Sequence, residues 1–115
     1  MRILIVEEAL ETLHGHWFQY LRDMVEGGRA AGHEIDVLYH KDAVEPVREV
    51  FGPHSVLRAS VWNRACKETG YARLKAIGAH NNSLKEDIGQ YARRASVLYD
   101  VTILPSVRID HVLAC

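Results

Sequence analysis

An uninterrupted run of branched aliphatic residues, Ile3–Val6, constrains the fold of this chain more than any other stretch. Such a run is typical of a strand buried on both faces, as in a parallel sheet covered by helices. From Trp17 the apolar residues recur at helical spacing up to Gly32, which suits the left-handed position just past a helix, although Gly27 and Gly28 weaken this helix. The segment IDVLY then alternates like a second strand. Strand, helix and strand with short connections predict a right-handed βαβ unit.

The rest of the chain predicts further strands and helices. AVEPVREVFG favours a short helix with a proline in its first turn, and HSVLRASV favours a third strand. Residues 62–83 have helical composition but contain Gly70 and Gly78, so we expect broken helix and loop there. VTILP is the fourth predicted strand, ended by Pro105. Ser83–Glu86 match a capping box that opens a helix with the apolar stripe Leu84, Ile88, Tyr91, Ala92, Ala95 and Leu98.

These elements predict an α/β fold: an open, mostly parallel, Rossmann-like sheet of about four strands, flanked by helices in three layers. The 115 residues suffice for a single domain. The last residues, IDHVLAC, favour the first turns of another helix with Asp110 at its N-cap. We therefore expect residues 1–115 to be the N-terminal part of a larger protein, with exposed apolar surface around Val112 and Leu113 that promotes self-association.

The charge balance argues against nucleic acid as a partner. Fourteen basic and fifteen acidic side chains leave a formal charge of −1, without the basic surface that nucleic acids attract. No apolar stretch reaches the ~20 residues of a transmembrane segment, and Met1 leads into the first strand without a signal-peptide pattern. Cys66 and Cys115 belong to no CxxC pair, which favours reduced thiols. These features predict a cytoplasmic protein.

The loop between the first strand and the first helix has three interpretations, of which two involve metals. Glu7 and Glu8 are similar to the Mg²⁺-binding acids of a receiver domain, but VREVFGPHSVLRAS contains no acceptor Asp, so we interpret both as solvated loop residues. A second possibility is a zinc site, because several histidines follow predicted strands: His14, His16, His40 and His111. An HxH pair without a third ligand at fixed spacing is a weak zinc motif, so we expect neither a metal nor a cofactor.

The third interpretation places a phosphate on the backbone around Gly15. Glycine allows close approach of the chain to a ligand, and the helix beginning near Trp17 directs its N–H groups and positive dipole end to the same point. The sequence HGHWFQ lacks the GxGxxG spacing, which argues against a dehydrogenase. Gly15 can also serve only to make a tight turn. Trp17 can stack on a sugar or lipid acceptor, or pack in the core with Leu21.

The order of these motifs resembles the N-terminal domain of retaining glycosyltransferases of the GT-B fold, of the group 1 or family 4 type. The resemblance rests on MRILIV, on the loop with Gly15, on the helix that ends in RAAGHEIDVLY, and on the later YDVTILPS. It implies that this domain takes the acceptor, while a second Rossmann-like domain binds the nucleotide-sugar donor. Two departures are the single glycine in the loop, where members usually have a pair, and Ile103, where members have a histidine.

The resemblance also implies roles for particular residues. Gly15 and His16 would face the donor diphosphate, with Trp17 beside them, and the loop after the last strand would line the cleft with Ser106 and Arg108. The partners would be a nucleotide-sugar donor and a sugar or lipid acceptor, and we expect the isolated 115 residues to be inactive because one wall of the cleft is missing. The alternative is a self-contained α/β binding or regulatory module, receiver-like or flavodoxin-like.

Overall fold

The computed structural model describes residues 1–58 and 69–105. These residues form one parallel sheet, whose strands are β1 (Arg2–Glu7), β2 (Glu34–His40), β3 (Ser55–Leu57) and β4 (Val101–Ile103). Three helices connect them: α1 (His16–Ala30), α2 (Glu45–Phe51) and α3 (Gly70–Ala95). The strand order is β3-β2-β1-β4. This architecture confirms the predicted α/β, Rossmann-like fold.

The pleat of the strands divides the core between two faces of the sheet. Odd-numbered residues of β1 and β2, such as Ile5 and Val37, pack with α1 and α2, whereas Leu4, Val6 and Leu38 pack with α3. This alternation follows from the two-residue period of a strand. Helices therefore cover both faces of the sheet, which gives the three predicted layers.

The strand order creates a topological switch point beside β1. The chain passes from β1 to β2 and then outward to β3, and it returns across the opposite face to pair β4 with the other side of β1. β1 therefore lies between β2 and β4, at the point where the order of the strands reverses. Open α/β sheets bind ligands at the carboxyl ends of the strands beside such a switch point.

Gly28 contributes to packing, although the sequence suggested that it only weakens α1. A Cβ atom at position 28 would lie 2.4 Å from Ile35 Cδ1, whereas nothing lies within 4 Å of the corresponding position at Gly27. The missing side chain at position 28 therefore allows α1 to lie close against β2. Gly32 has a φ of +89° just past the helix, as predicted.

The prediction for α3 was wrong in its first half. A continuous helix of 26 residues begins at Gly70, so Ser83 lies inside the helix and opens no capping box. Helical glycines cost only about 1 kcal/mol each, which tertiary packing readily outweighs. The buried stripe also differs from the predicted one, since Leu98 lies beyond the helix and is 95% exposed. The buried residues of α3 are His80, Leu84, Asp87 and Tyr91.

Some predictions concern residues outside the described ranges. The end of the predicted third strand, Trp62, the two cysteines, and the predicted final helix with its proposed self-association surface all lie there. Ser106, Arg108 and His111 lie there as well. Within the described ranges, no helix is both long and apolar enough to cross a membrane.

Candidate functional site

The β1–α1 loop, residues 8–15, follows the carboxyl end of β1 at the switch point. The last residue of β1, Glu7, has no exposed surface. Its Oε1 accepts a hydrogen bond from the Ala9 amide at 3.1 Å, and its Oε2 accepts one from the Tyr20 hydroxyl at 2.5 Å. Glu7 thereby ties the start of the loop to the first turns of α1.

Glu8 is tied to the opposite face of the sheet. Its Oε2 lies 2.6 Å from Nε2 of His80 on α3, and the two side chains are only 6% and 3% exposed. This contact places an imidazole against a carboxylate inside the protein. The contact joins the first residue of the β1–α1 loop to the helix on the other side of β1.

The burial of both acids corrects their interpretation as solvated loop residues. Adjacent strand residues point to opposite faces, so Glu7 meets Tyr20 of α1 while Glu8 meets His80 of α3. The two carboxylates are therefore directed apart and form no shared receiver-like metal site. In residues 1–58 and 69–105, no three His, Cys, Asp or Glu side chains are grouped so that they could hold a metal ion.

The middle of the β1–α1 loop is held by the neighbouring β2–α2 connection. The Glu11 carbonyl accepts a hydrogen bond from the Val44 amide at 2.9 Å. The buried imidazole of His40, at the end of β2, has its Nδ1 3.6 Å from Glu11 Oε1 and accepts the Asp42 amide at 3.2 Å. His14 and His16, by contrast, are exposed. His40 thus contacts the loop through Glu11, in a polar packing role.

The end of the loop brings a glycine and a helix N-terminus together, as the sequence predicts. Gly15 is the N-cap of α1 with φ +83° and ψ 175°, and the helix begins at His16, one residue before the predicted start. The first turn contains no acidic residue. Because Gly15 has no capping side chain, the backbone N–H groups and the helix dipole produce a positive electrostatic potential at this point.

Aromatic rings surround the same point. The exposed His16 ring stacks on Trp17, with centroids 4.1 Å apart and planes at 29°, and lies 6.3 Å from the Tyr20 ring. Trp17 is half-buried, so it belongs neither wholly to the core nor wholly to the surface. A Cβ at Gly15 would lie 3.6 Å from the indole. The predicted residues Gly15, His16 and Trp17 therefore lie together at the carboxyl edge.

Sequence reasoning missed two contributors to the site, Tyr20 and His80. Tyr20 lies four residues after His16 on the same helical face, a spacing that could have associated it with the loop. His80 lies at helical spacing from Leu84, Asp87 and Tyr91, but a stripe defined by apolar residues alone excludes it. The predicted contributions of Ser106 and Arg108 remain predictions because both lie outside the described residues.

Comparison with known proteins identifies no relative. No protein-family model, no curated protein and no solved structure matches this chain. The function must therefore be argued from the arrangement itself. That arrangement presents backbone donors, an exposed imidazole and an aromatic surface at a switch point, a combination suited to an anionic group attached to a ring.

Proposed function

We propose that this chain forms the N-terminal, acceptor-side domain of a glycosyltransferase of the GT-B type, and that the N-terminus of α1 binds the diphosphate of the nucleotide-sugar donor. The observation that carries this proposal is the conformation of Gly15, which has a φ of +83° where α1 begins. A glycine with a positive φ at a helix N-terminus leaves consecutive N–H groups directed to one point without a side chain in the way.

The position of Gly15 in the fold supports the same ligand class. The loop that it ends leaves β1 beside the switch point, where open α/β folds bind nucleotides and related ligands. The first turn of α1 has no acidic side chain to repel a phosphate. The net charge of the chain is close to zero, so the positive potential would be local, as recognition of one diphosphate requires.

The side chains next to Gly15 would complete the contact. His16 is exposed and can donate a hydrogen bond from its imidazole, while the ring of Trp17 offers a surface for a sugar. In a transferase of this class, a second domain would hold the nucleoside and sugar of the donor, and this domain would bind the acceptor. The donor, its sugar and the acceptor sugar or lipid are the proposed partners of the whole enzyme.

The proposal is tested by titrating ¹⁵N-labelled protein with inorganic pyrophosphate and with nucleoside diphosphates at constant ionic strength. We expect saturable shifts of the backbone amide signals of residues 15–18. Gly15→Ala should weaken binding about tenfold or more, because alanine is strained at a positive φ and the N–H groups would have to turn away.

Gly32→Ala is the matched control. Gly32 has a φ of +89°, no atom lies within 4 Å of its missing Cβ, and it lies past the other end of α1. The Gly32→Ala variant should therefore lose about as much stability as Gly15→Ala but keep the wild-type affinity for pyrophosphate. Unchanged amide signals at residues 15–18, or equal losses of affinity in both variants, would contradict the proposal.

A further inference from the structure

Two parts of α3 form polar pairs with the rest of the domain: His80 with Glu8, and the adjacent Glu86 and Asp87 with Arg58. None of residues 70–79 is buried, and His80 is the first residue at which the helix meets the core. His80 pairs with Glu8, and seven residues later the buried carboxylate of Asp87 accepts both the backbone amide and the guanidinium of Arg58, at 2.8 and 2.6 Å. Only the pair of His80 and Glu8 includes a residue of the β1–α1 loop.

Glu8 is the first residue of the β1–α1 loop, and the residue before it, Glu7, is bound on the other face of the sheet. Glu7 contacts Tyr20 of α1, and Glu8 contacts His80 of α3. The start of the loop is therefore clamped between the helices of both layers. Arg58 follows β3, the edge strand, which is separated from β1 by β2.

Attachment of a helix alone would not require a buried charge pair. Apolar residues of similar volume often replace buried ion pairs without loss of stability, and α3 already packs through Leu84 and Tyr91. A buried carboxylate and its imidazole partner resist separation more than an apolar contact does, because moving either one would leave a polar group buried without its partner. At the first residue of a ligand loop, this fixed pairing can orient the backbone that follows.

We propose that Glu8 and His80 are positioning residues, which orient the β1–α1 loop so that the N-terminus of α1 is arranged to receive the donor diphosphate. This inference rests on the proposed function. Both side chains are more than nine-tenths buried, so they act through the loop backbone and do not touch the ligand. Loss of the pair should therefore change the ligand site more than it changes the attachment of α3.

The test compares Glu8→Gln and His80→Gln with Asp87→Asn, a matched change of a buried carboxylate on the same face. Hydrogen exchange of the amides in residues 9–16 is measured without ligand, and the affinity for pyrophosphate is measured at equal folded fraction. We expect faster exchange in the loop and at least about tenfold weaker binding for the first two variants, with neither effect in Asp87→Asn. The double variant Glu8→Gln/His80→Gln should be no worse than either single change.

A second test separates the positioning of the loop from the attachment of α3. It also keeps the inference testable if the first variants do not fold. Glu8→Met combined with His80→Leu keeps apolar contact between the loop and α3 but removes the carboxylate and the imidazole. It should retain a cooperative unfolding transition and still show the altered loop exchange. Wild-type loop exchange in this variant, or an equal effect of Asp87→Asn on the loop, would overturn the inference. If wild-type protein binds no pyrophosphate, the proposed function fails, and the exchange data alone decide whether the pair orients the loop.

Discussion

The two faces of the sheet differ in their balance of apolar and polar contacts. In the described residues, α1 and α2 close one face over a cluster of eleven buried residues, in which the only polar atom of a side chain is the Tyr39 hydroxyl. The α3 face has a smaller cluster of six, supplemented by the Glu8–His80 and Asp87–Arg58 pairs. The first face thus has the larger apolar cluster and one buried carboxylate, Glu7, bound to Tyr20, whereas the second has the smaller cluster and two buried carboxylates, Glu8 and Asp87.

This difference suggests a division of labour. Hydrophobic stabilisation is non-directional and scales with the area removed from water, so the α1 and α2 face can hold the domain together without fixing individual side chains. Polar pairs are directional and lose their benefit when one partner is removed. On the α3 face, substitution of Glu8 or His80 can therefore change the geometry of the loop without removing an apolar residue from the core.

The largest expected effect is on the apolar face. Leu21→Ala should destabilise the domain by about 3 kcal/mol, because it leaves a cavity in the larger cluster. Leu84→Ala, at the same level of burial in the smaller cluster, should cost less, since a helix with exposed residues before it can settle into the space. Urea unfolding curves measure both values. A larger loss for Leu84→Ala would reverse the assignment of the main core.

A smaller effect concerns the close approach of α1 to the sheet. Gly27→Ala should stabilise the domain by about 0.5–1 kcal/mol, because alanine favours a helix and nothing lies near the added methyl group. Gly28→Ala gains the same propensity, but its Cβ would overlap Ile35 Cδ1, so the net gain should vanish or change sign. Thermal unfolding of the two variants gives the comparison. Equal stabilisation would mean that the Ile35 side chain moves aside freely.

The smallest expected effect is a loss of stability at alkaline pH, which comes mainly from a tyrosine on the α3 face. The Tyr99 hydroxyl donates to Asp36 Oδ2 at 2.7 Å and lies 2.7 Å from the Tyr91 hydroxyl. Burial, followed by these two hydrogen bonds, raises the pKa of Tyr99 above its ordinary value of about 10. A raised pKa means that the folded state holds the proton more tightly, so this contribution is complete below about pH 10 and is lost as the pH rises further.

Unfolding free energies at pH 8 and pH 10.5 test this dependence. Tyr99→Phe should reduce the alkaline loss of stability. Burial also raises the pKa of Tyr39 on the other face, but the nearby Arg48 opposes that shift, so Tyr39→Phe should reduce the loss less. An equal reduction in both variants would remove the distinction between the faces in their response to pH.

The sequence predicted the backbone part of the candidate site but not the side-chain contacts that hold it. The position of Gly15 followed from local rules, since a strand, a glycine and an amphipathic helix in succession are enough to place a loop at the carboxyl edge. Local rules did not predict the partners of Glu7 and Glu8. Two adjacent acids after a strand are expected to be solvated unless the strand is known to continue through Glu7. His80 is 72 residues away from Glu8 in the sequence, and no local pattern relates the two.

The sequence by itself determined the α/β alternation, the parallel sheet and the glycine that precedes the first helix, because these depend on periodicity and on the conformational preferences of single residues. Only the tertiary structure decided that α3 is continuous through Gly78 and that His80 and Asp87 belong to its buried face. It also decided that neighbouring carboxylates clamp one loop from opposite sides. Such features depend on which groups meet after the chain crosses the sheet, and burial of a charged side chain becomes favourable only once its partner is in place.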